Sequence, residues 1–142
     1  MKLPVFDLHC DTALELIGKD LQRKARLLRN TGHVDLERAK ALGGYCQCFA
    51  IYTFPKFTEF FGRPVTEVFE AMVSNLLAEL EENRDVITQV RTPGEIRENL
   101  SRGMMSAVLT LEGPAGIDYD PARLEELYNR GFRISTLGWN EQ

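Results

Sequence analysis

No stretch of this 142-residue chain is apolar for long enough to span a bilayer, and no charged segment followed by an apolar one opens it. The reading is therefore no membrane segment and no secretory leader, with the cytoplasm, or a shortened chain, as the expected setting. An excess of one charge is also lacking. Lys and Arg number 17 against 21 Asp and Glu, and a net charge of −4 gives no reason to expect nucleic acid as a partner. The one basic cluster, Lys19, Arg23, Lys24, Arg26 and Arg29, has no interleaved aromatics for base stacking and reads as solvated surface. Cysteine is scarce and odd in number: Cys10, Cys46 and Cys48 suit reduced thiols better than a disulfide framework. Cys46-x-Cys48 has ligand chemistry, but on a buried strand such residues read as small core side chains. Repeats, low-complexity tracts and interdomain linkers are absent. Length and apolar content indicate one domain over residues 1–142, with a real core.

What stands out against this background is Phe6-Asp7-Leu8-His9-Cys10-Asp11. An apolar run, Leu3 to Leu8, leads into it and predicts a first strand. Side chains two apart on a strand share a face, so His9 and Asp11 can converge on one ion while Cys10 faces away. An imidazole nitrogen and a carboxylate oxygen suit Zn²⁺ or a similar divalent metal. A surface His and Asp at a strand end is the competing reading. Glu112 is the second feature. It closes the apolar run from Met104 to Leu111 and precedes Gly113-Pro114, so it too sits at a strand's carboxyl end. Catalytic groups of parallel barrels gather there, and a glutamate so placed can bridge two metals. A loop or helix-capping carboxylate is the plain alternative.

Strand and helix signals alternate along the rest. A short helix is expected from Thr12 to Ile17, then a polar connection from Gly18 to Val34. Asp35 caps a helix to Leu42, and a near-continuously apolar strand runs from Tyr45 to Thr53, as in parallel sheets. Phe54 to Arg63 carries four phenylalanines too irregularly spaced for a helix; it reads as a loop packed on the core, with a pocket wall as the alternative. Val65 to Leu80 forms one apolar stripe, with Glu67, Glu70, Glu79 and Glu81 on the opposite face. Thr92-Pro93-Gly94-Glu95 is a capping box opening a helix that ends at Gly103. Asp120-Pro121 opens another, closed by Gly131, and Phe132 to Leu137 is a strand. Four principal strands result, with a weaker run at Val86 to Val90.

Together these segments resemble the membrane dipeptidase (renal dipeptidase) family, peptidase M19, within the amidohydrolase-like barrels. The resemblance rests on Asp7-Leu8-His9-Cys10-Asp11-Thr12, on Gly43-Gly44-Tyr45-Cys46-Gln47-Cys48-Phe49-Ala50, on Leu111-Glu112-Gly113, and on Leu124 to Asn140 with Tyr128, Gly131-Phe132-Arg133 and Thr136-Leu137-Gly138-Trp139-Asn140. It implies an α/β chain of the (β/α)₈ TIM-barrel type, present in part as about the first four βα units. It also implies a zinc-dependent dipeptidase that uses a metal-bound hydroxide at a binuclear site. His9 and Asp11 would bind the first metal and Glu112, as the catalytic carboxylate, would bridge both. Tyr52 and Trp139 are the candidate substrate contacts, although some members carry a histidine where Trp139 stands. Members complete the second site with two later histidines, and only His33, outside any matching motif, remains here. The expectation is thus at most one weakly held Zn²⁺ and little turnover by this chain alone. Four strands of such a barrel leave two open edges and an apolar inner face. These predict self-association or a missing C-terminal half, with a dipeptide as the substrate. Two alternatives stand beside this: another amidohydrolase-type amide or ester hydrolase, and a non-catalytic barrel fragment acting as an assembly module.

Overall fold

The computed structural model describes residues 3–136, so Trp139 and the end of the matching C-terminal segment lie outside the described residues. In chain order the elements are β1 (Val5–Cys10), α1 (Thr12–Glu15), α2 (Leu36–Ala39), β2 (Tyr45–Tyr52), α3 (Phe57–Phe61), α4 (Val65–Glu82), β3 (Ile87–Gln89), α5 (Pro93–Ser101), β4 (Met105–Glu112), a 3₁₀ turn (Pro114–Ile117), α6 (Arg123–Arg130) and β5 (Phe132–Thr136). Every strand pairing is parallel. β2 lies between β1 and β4. On the other edge of β4, β3 pairs with its first residues and β5 with its last. The weak run at 86–90 is thus a real strand, though a short one. The result is an open α/β sheet, the unclosed portion of a barrel.

Local sequence explains the element ends. Thr92 and Glu95 form the expected capping box at α5, and Asp35 caps α2 by accepting from Arg38 N. Gly131 ends α6 at φ 100°, a conformation that glycine alone adopts cheaply. Phe57 to Phe61 departs from expectation. It is a one-turn helix, not a loop, with Phe57 and Phe61 packed on the core and Phe60 left outside.

Alternate residues of β2 and β4, among them Phe49, Ile51, Leu109 and Leu111, pack against α4 through Phe69, Met72 and Leu76. The opposite face was expected to lie bare. Instead Cys46, Cys48 and Val108 are buried there with Val90, and Ile96 of α5 packs against them. Both edge strands keep apolar exposure, with Leu8 of β1 at 69% and Ile134 of β5 at 47%. No helix among the described residues is long and apolar enough to cross a membrane.

Two charge assignments require correction. Glu79 is not on the outer face of α4; it is fully buried. It stands three residues after Leu76 and seven after Met72, so helical spacing puts it on the apolar stripe whatever its charge. The basic cluster supplies the compensation and is therefore only partly free surface. Arg23 Nη1 (2.8 Å) and Arg26 Nε (2.7 Å) meet Glu79 Oε1, and Leu27 N donates to Oε2 at 2.7 Å. A buried carboxylate with three donors clamps the long 18–34 connection onto α4. Glu70 plays a lesser part of the same kind, with Arg130 Nη2 at 2.8 Å tying α6 to α4.

Removing the clamp has a measurable cost. Glu79→Ala is expected to lower unfolding free energy by about 2–3 kcal/mol, since a buried amide loses its acceptor and a void opens. The neighbouring Glu82→Gln, on an exposed carboxylate, should leave the urea midpoint unchanged; equal midpoints for the two variants would refute the clamp.

Candidate metal centre

His9 and Glu112 leave the sheet from one face because β1 contains a bulge. Val5, Phe6 and Asp7 lie opposite Tyr45, Cys46 and Gln47, but Cys10 lies opposite Phe49, so three steps in β1 match two in β2. In regular pairing His9 would face Phe49 and the core. The extra residue hands that place to Cys10, which is buried beside Phe49, and turns His9 to the opposite face. The Asp7 carboxylate holds the bulge by accepting from His9 N at 3.1 Å.

Asp11 stands at the N-cap of α1 but makes no side-chain cap bond, which frees its carboxylate. Its Oδ1 lies 3.3 Å from His9 Nε2. Glu112 closes β4, and its Oε2 lies 3.4 Å from the same nitrogen. The backbone after Glu112 is fixed by a residue that sequence reasoning passed over. Buried Thr53 donates its hydroxyl to Gly113 O (3.1 Å), accepts from Gly116 N (2.9 Å), and gives its own N–H to Glu112 O (3.0 Å). Gly116 in turn sits so close to Phe69 of α4 that a β-carbon there would collide with the ring. The only sequence signal for this was a hydroxyl residue at the end of an otherwise apolar strand.

One ligand atom each from His9, Asp11 and Glu112 lies within 4.8 Å of the others, and this is the only such group of three found among the described residues. His33 is not part of it. The fit to a cation rests on Glu112. Its Oε2 is buried and has no hydrogen-bond partner, the His9 contact being out of bonding geometry. Such an oxygen is costly unless a donor or cation meets it. Burial pushes the Glu112 carboxyl above the ordinary carboxylate range; His9 opposes that shift and the charge of Asp11 adds to it. One imidazole and two carboxylates, with His9 and Asp11 about half exposed, match a divalent ion with three protein ligands and open positions.

The cysteines stay outside this chemistry. Burial pushes the Cys10 thiol up to about 11 and Cys46 to about 12, which keeps both protonated, and Cys48 shifts the same way. Tyr52 pairs with Glu112 in register, which places it beside the triad, and its ring meets Phe57 edge-on at 5.4 Å.

The model of the family described as membrane dipeptidase (peptidase family M19) matches residues 1–142. No curated protein matches the chain. Among solved structures, the dipeptidase AC, a metallopeptidase of family M19, is 28% identical with a TM-score of 0.79, over 99% of this chain and 44% of its own. A metallopeptidase from Rhodobacter sphaeroides, liganded with a phosphinate mimic of the dipeptide L-Ala-D-Ala, is 25% identical with a TM-score of 0.77, over 100% of this chain and 47% of its own. The probable dipeptidase PvdM from Pseudomonas aeruginosa, at 17% identity and a TM-score of 0.72 over 97% of this chain and 35% of its own, shares the fold. The chain thus spans less than half the length of these structures.

The bulge makes Asp7 a positioning residue. Asp7→Ala is expected to weaken divalent-cation affinity about tenfold although no ligand is removed, and Asp7→Asn, which keeps an acceptor for His9 N, should restore it. Calorimetric titration distinguishes them; equal affinities for the alanine and asparagine variants would count against the role.

Proposed function

The chain belongs to the membrane dipeptidase family, peptidase family M19, and on that premise we propose that its His9, Asp11 and Glu112 hold one Zn²⁺ for the hydrolysis of dipeptides. The observation that carries this reading is the buried Glu112 Oε2, which has no hydrogen-bond partner and faces His9 Nε2 with Asp11 alongside. The dipeptide mimic bound by the Rhodobacter sphaeroides relative supports the substrate class. Zinc in such a site supplies Lewis acidity toward the scissile carbonyl and makes water nucleophilic near neutral pH. The residues of the chain orient that chemistry. Glu112 would supply Oε2 from a buried position, while Asp11 and His9 would present their ligand atoms from the solvent side. We propose Tyr52, in register with Glu112, as a substrate contact at the same rim. We propose Glu112 also as the residue that a second metal would share. The histidines that would complete such a site in the family are not supplied by these residues, so we propose weak binding of a single ion and little turnover by this chain alone.

The exposed sheet edges favour a companion proposal. Leu8 on β1 and Ile134 on β5 flank open edges, which pair readily with further strands. We propose that the chain associates through them.

Two measurements test these readings. Zinc titration by calorimetry should show saturable heat that His9→Ala and Glu112→Gln abolish, with a dipeptide panel giving at most slow hydrolysis. Heat unchanged in Glu112→Gln would remove the metal site, whereas rapid hydrolysis lost in His9→Ala would overturn only the expectation of weak activity. Light scattering should give a mass above the 16.2 kDa of one chain, and a stable monomer at high concentration would remove the association.

A further inference from the structure

Beside the metal residues, but containing none of them, lies an apolar cavity of about 600 Å³ between α1, the segment that follows it, and the stretch after β2. That is ample room for a small organic molecule. Its wall is aromatic. Phe54, Phe57, Phe60 and Phe61 line it, with Phe57 meeting Phe61 at 5.5 Å and Phe60 meeting Phe61 at 4.9 Å, both edge to face. Rings locked in that way have faces left for another ring. Phe60 is 58% exposed, a large apolar group held in water.

The rim is cationic. Lys19, Lys24 and Lys56 all border the cavity against one acid, Glu15. One oxygen of Glu15, Oε2, is buried and packed where a β-carbon on Gly32 would collide with it. No ion pair among the described residues uses any of the three lysines, whereas the neighbouring Arg23 and Arg26 are both paired with Glu79 and Glu82. Lys19 Nζ instead stands 4.6 Å above the Phe60 ring. An apolar, ring-lined chamber bordered by three lysines without ion-pair partners among the described residues is complementary to one kind of molecule.

We propose that this cavity binds small amphipathic anions, with an aryl group seated among the phenylalanines and its carboxylate held by Lys19, Lys24 and Lys56. The cavity lies near the rim that carries the metal residues, since α1 directly follows Asp11 and Phe57 meets Tyr52. It needs no metal.

The test is an amide NMR titration of the whole chain, in chelator, with 3-phenylpropionate and its neutral analogue 3-phenylpropionamide. Shifts should be confined to residues 14–24 and 54–61, and at low salt the anion should bind about fivefold more tightly than the amide, as an exposed charge contact allows. The triple variant Lys19→Gln, Lys24→Gln, Lys56→Gln should erase that difference. Phe60→Ala should weaken both ligands about fivefold. These side chains are exposed, and an unchanged spectrum outside the pocket verifies the fold. Equal affinity for the two probes, or shifts scattered along the sheet edges, would overturn the proposal. His9→Ala should leave this binding intact, so failure of the metal site and failure of the pocket are separable.

Discussion

Ligands from different strands of a parallel sheet can meet only if they leave the same face at the same end, and strand parity decides whether they do. β4 delivers Glu112 to the site face by regular alternation, in register with Tyr52. β1 would send His9 the other way, into the core opposite Phe49, were it equally regular. One additional residue between Asp7 and Cys10 reverses the assignment, and the Asp7 carboxylate satisfies the His9 N–H that the disrupted ladder leaves over. The burial of Cys10 and the freedom of His9 are consequences of the same irregularity. The proposed metal site depends on it.

Much of this was legible in the residues themselves. The His9-x-Asp11 pair, Glu112 at a strand end, the capping box at Thr92 and the stop at Gly131 all follow from local rules that tertiary context did not override. A period-two reading of His9 and Asp11 puts them side by side, as the structure does, but for an incomplete reason. Alternation alone does not orient His9, because bulges depend on the partner strand and leave little trace in one sequence. Glu79 was misplaced because charge was weighed above helical spacing, and its compensation comes from residues more than fifty positions away. Thr53 was missed for a similar reason, since its role consists of bonds to a loop about sixty residues downstream. Phe54 to Phe61 defied the pattern because a single helical turn is too short to show a period.

The interior supports the site in layers. Phe69 of α4 leaves room only for a glycine at 116, which lets the 3₁₀ turn press down and its N–H reach Thr53. Thr53 then fixes the backbone on both sides of Gly113. Glu79, on the same helix, anchors the connection that follows α1. One helix thereby braces the segments next to two ligand-bearing strand ends, which are otherwise joined only through β2 between them. A carboxylate oxygen such as Glu112 Oε2, buried and without a hydrogen-bond partner, requires such bracing; on a mobile loop it would turn to water.

The two sides of the triad are nevertheless unequal. Glu112 extends from a strand paired on both edges, whereas His9 and Asp11 come from β1, which pairs only with β2 among the described residues. The ligands contributed by an edge strand are ordered by half the usual ladder, and a bulge interrupts even that. On the proposed function, a strand pairing with the open edge of β1 would restrict the motion of His9 and Asp11 and so raise the affinity for an ion bound by all three groups. Linkage would make the effect reciprocal: an ion held by all three groups would favour pairing at that edge by the same factor. Metal binding and pairing at the free edge of β1 would in this way be linked, because both act through the residues from Asp7 to Asp11.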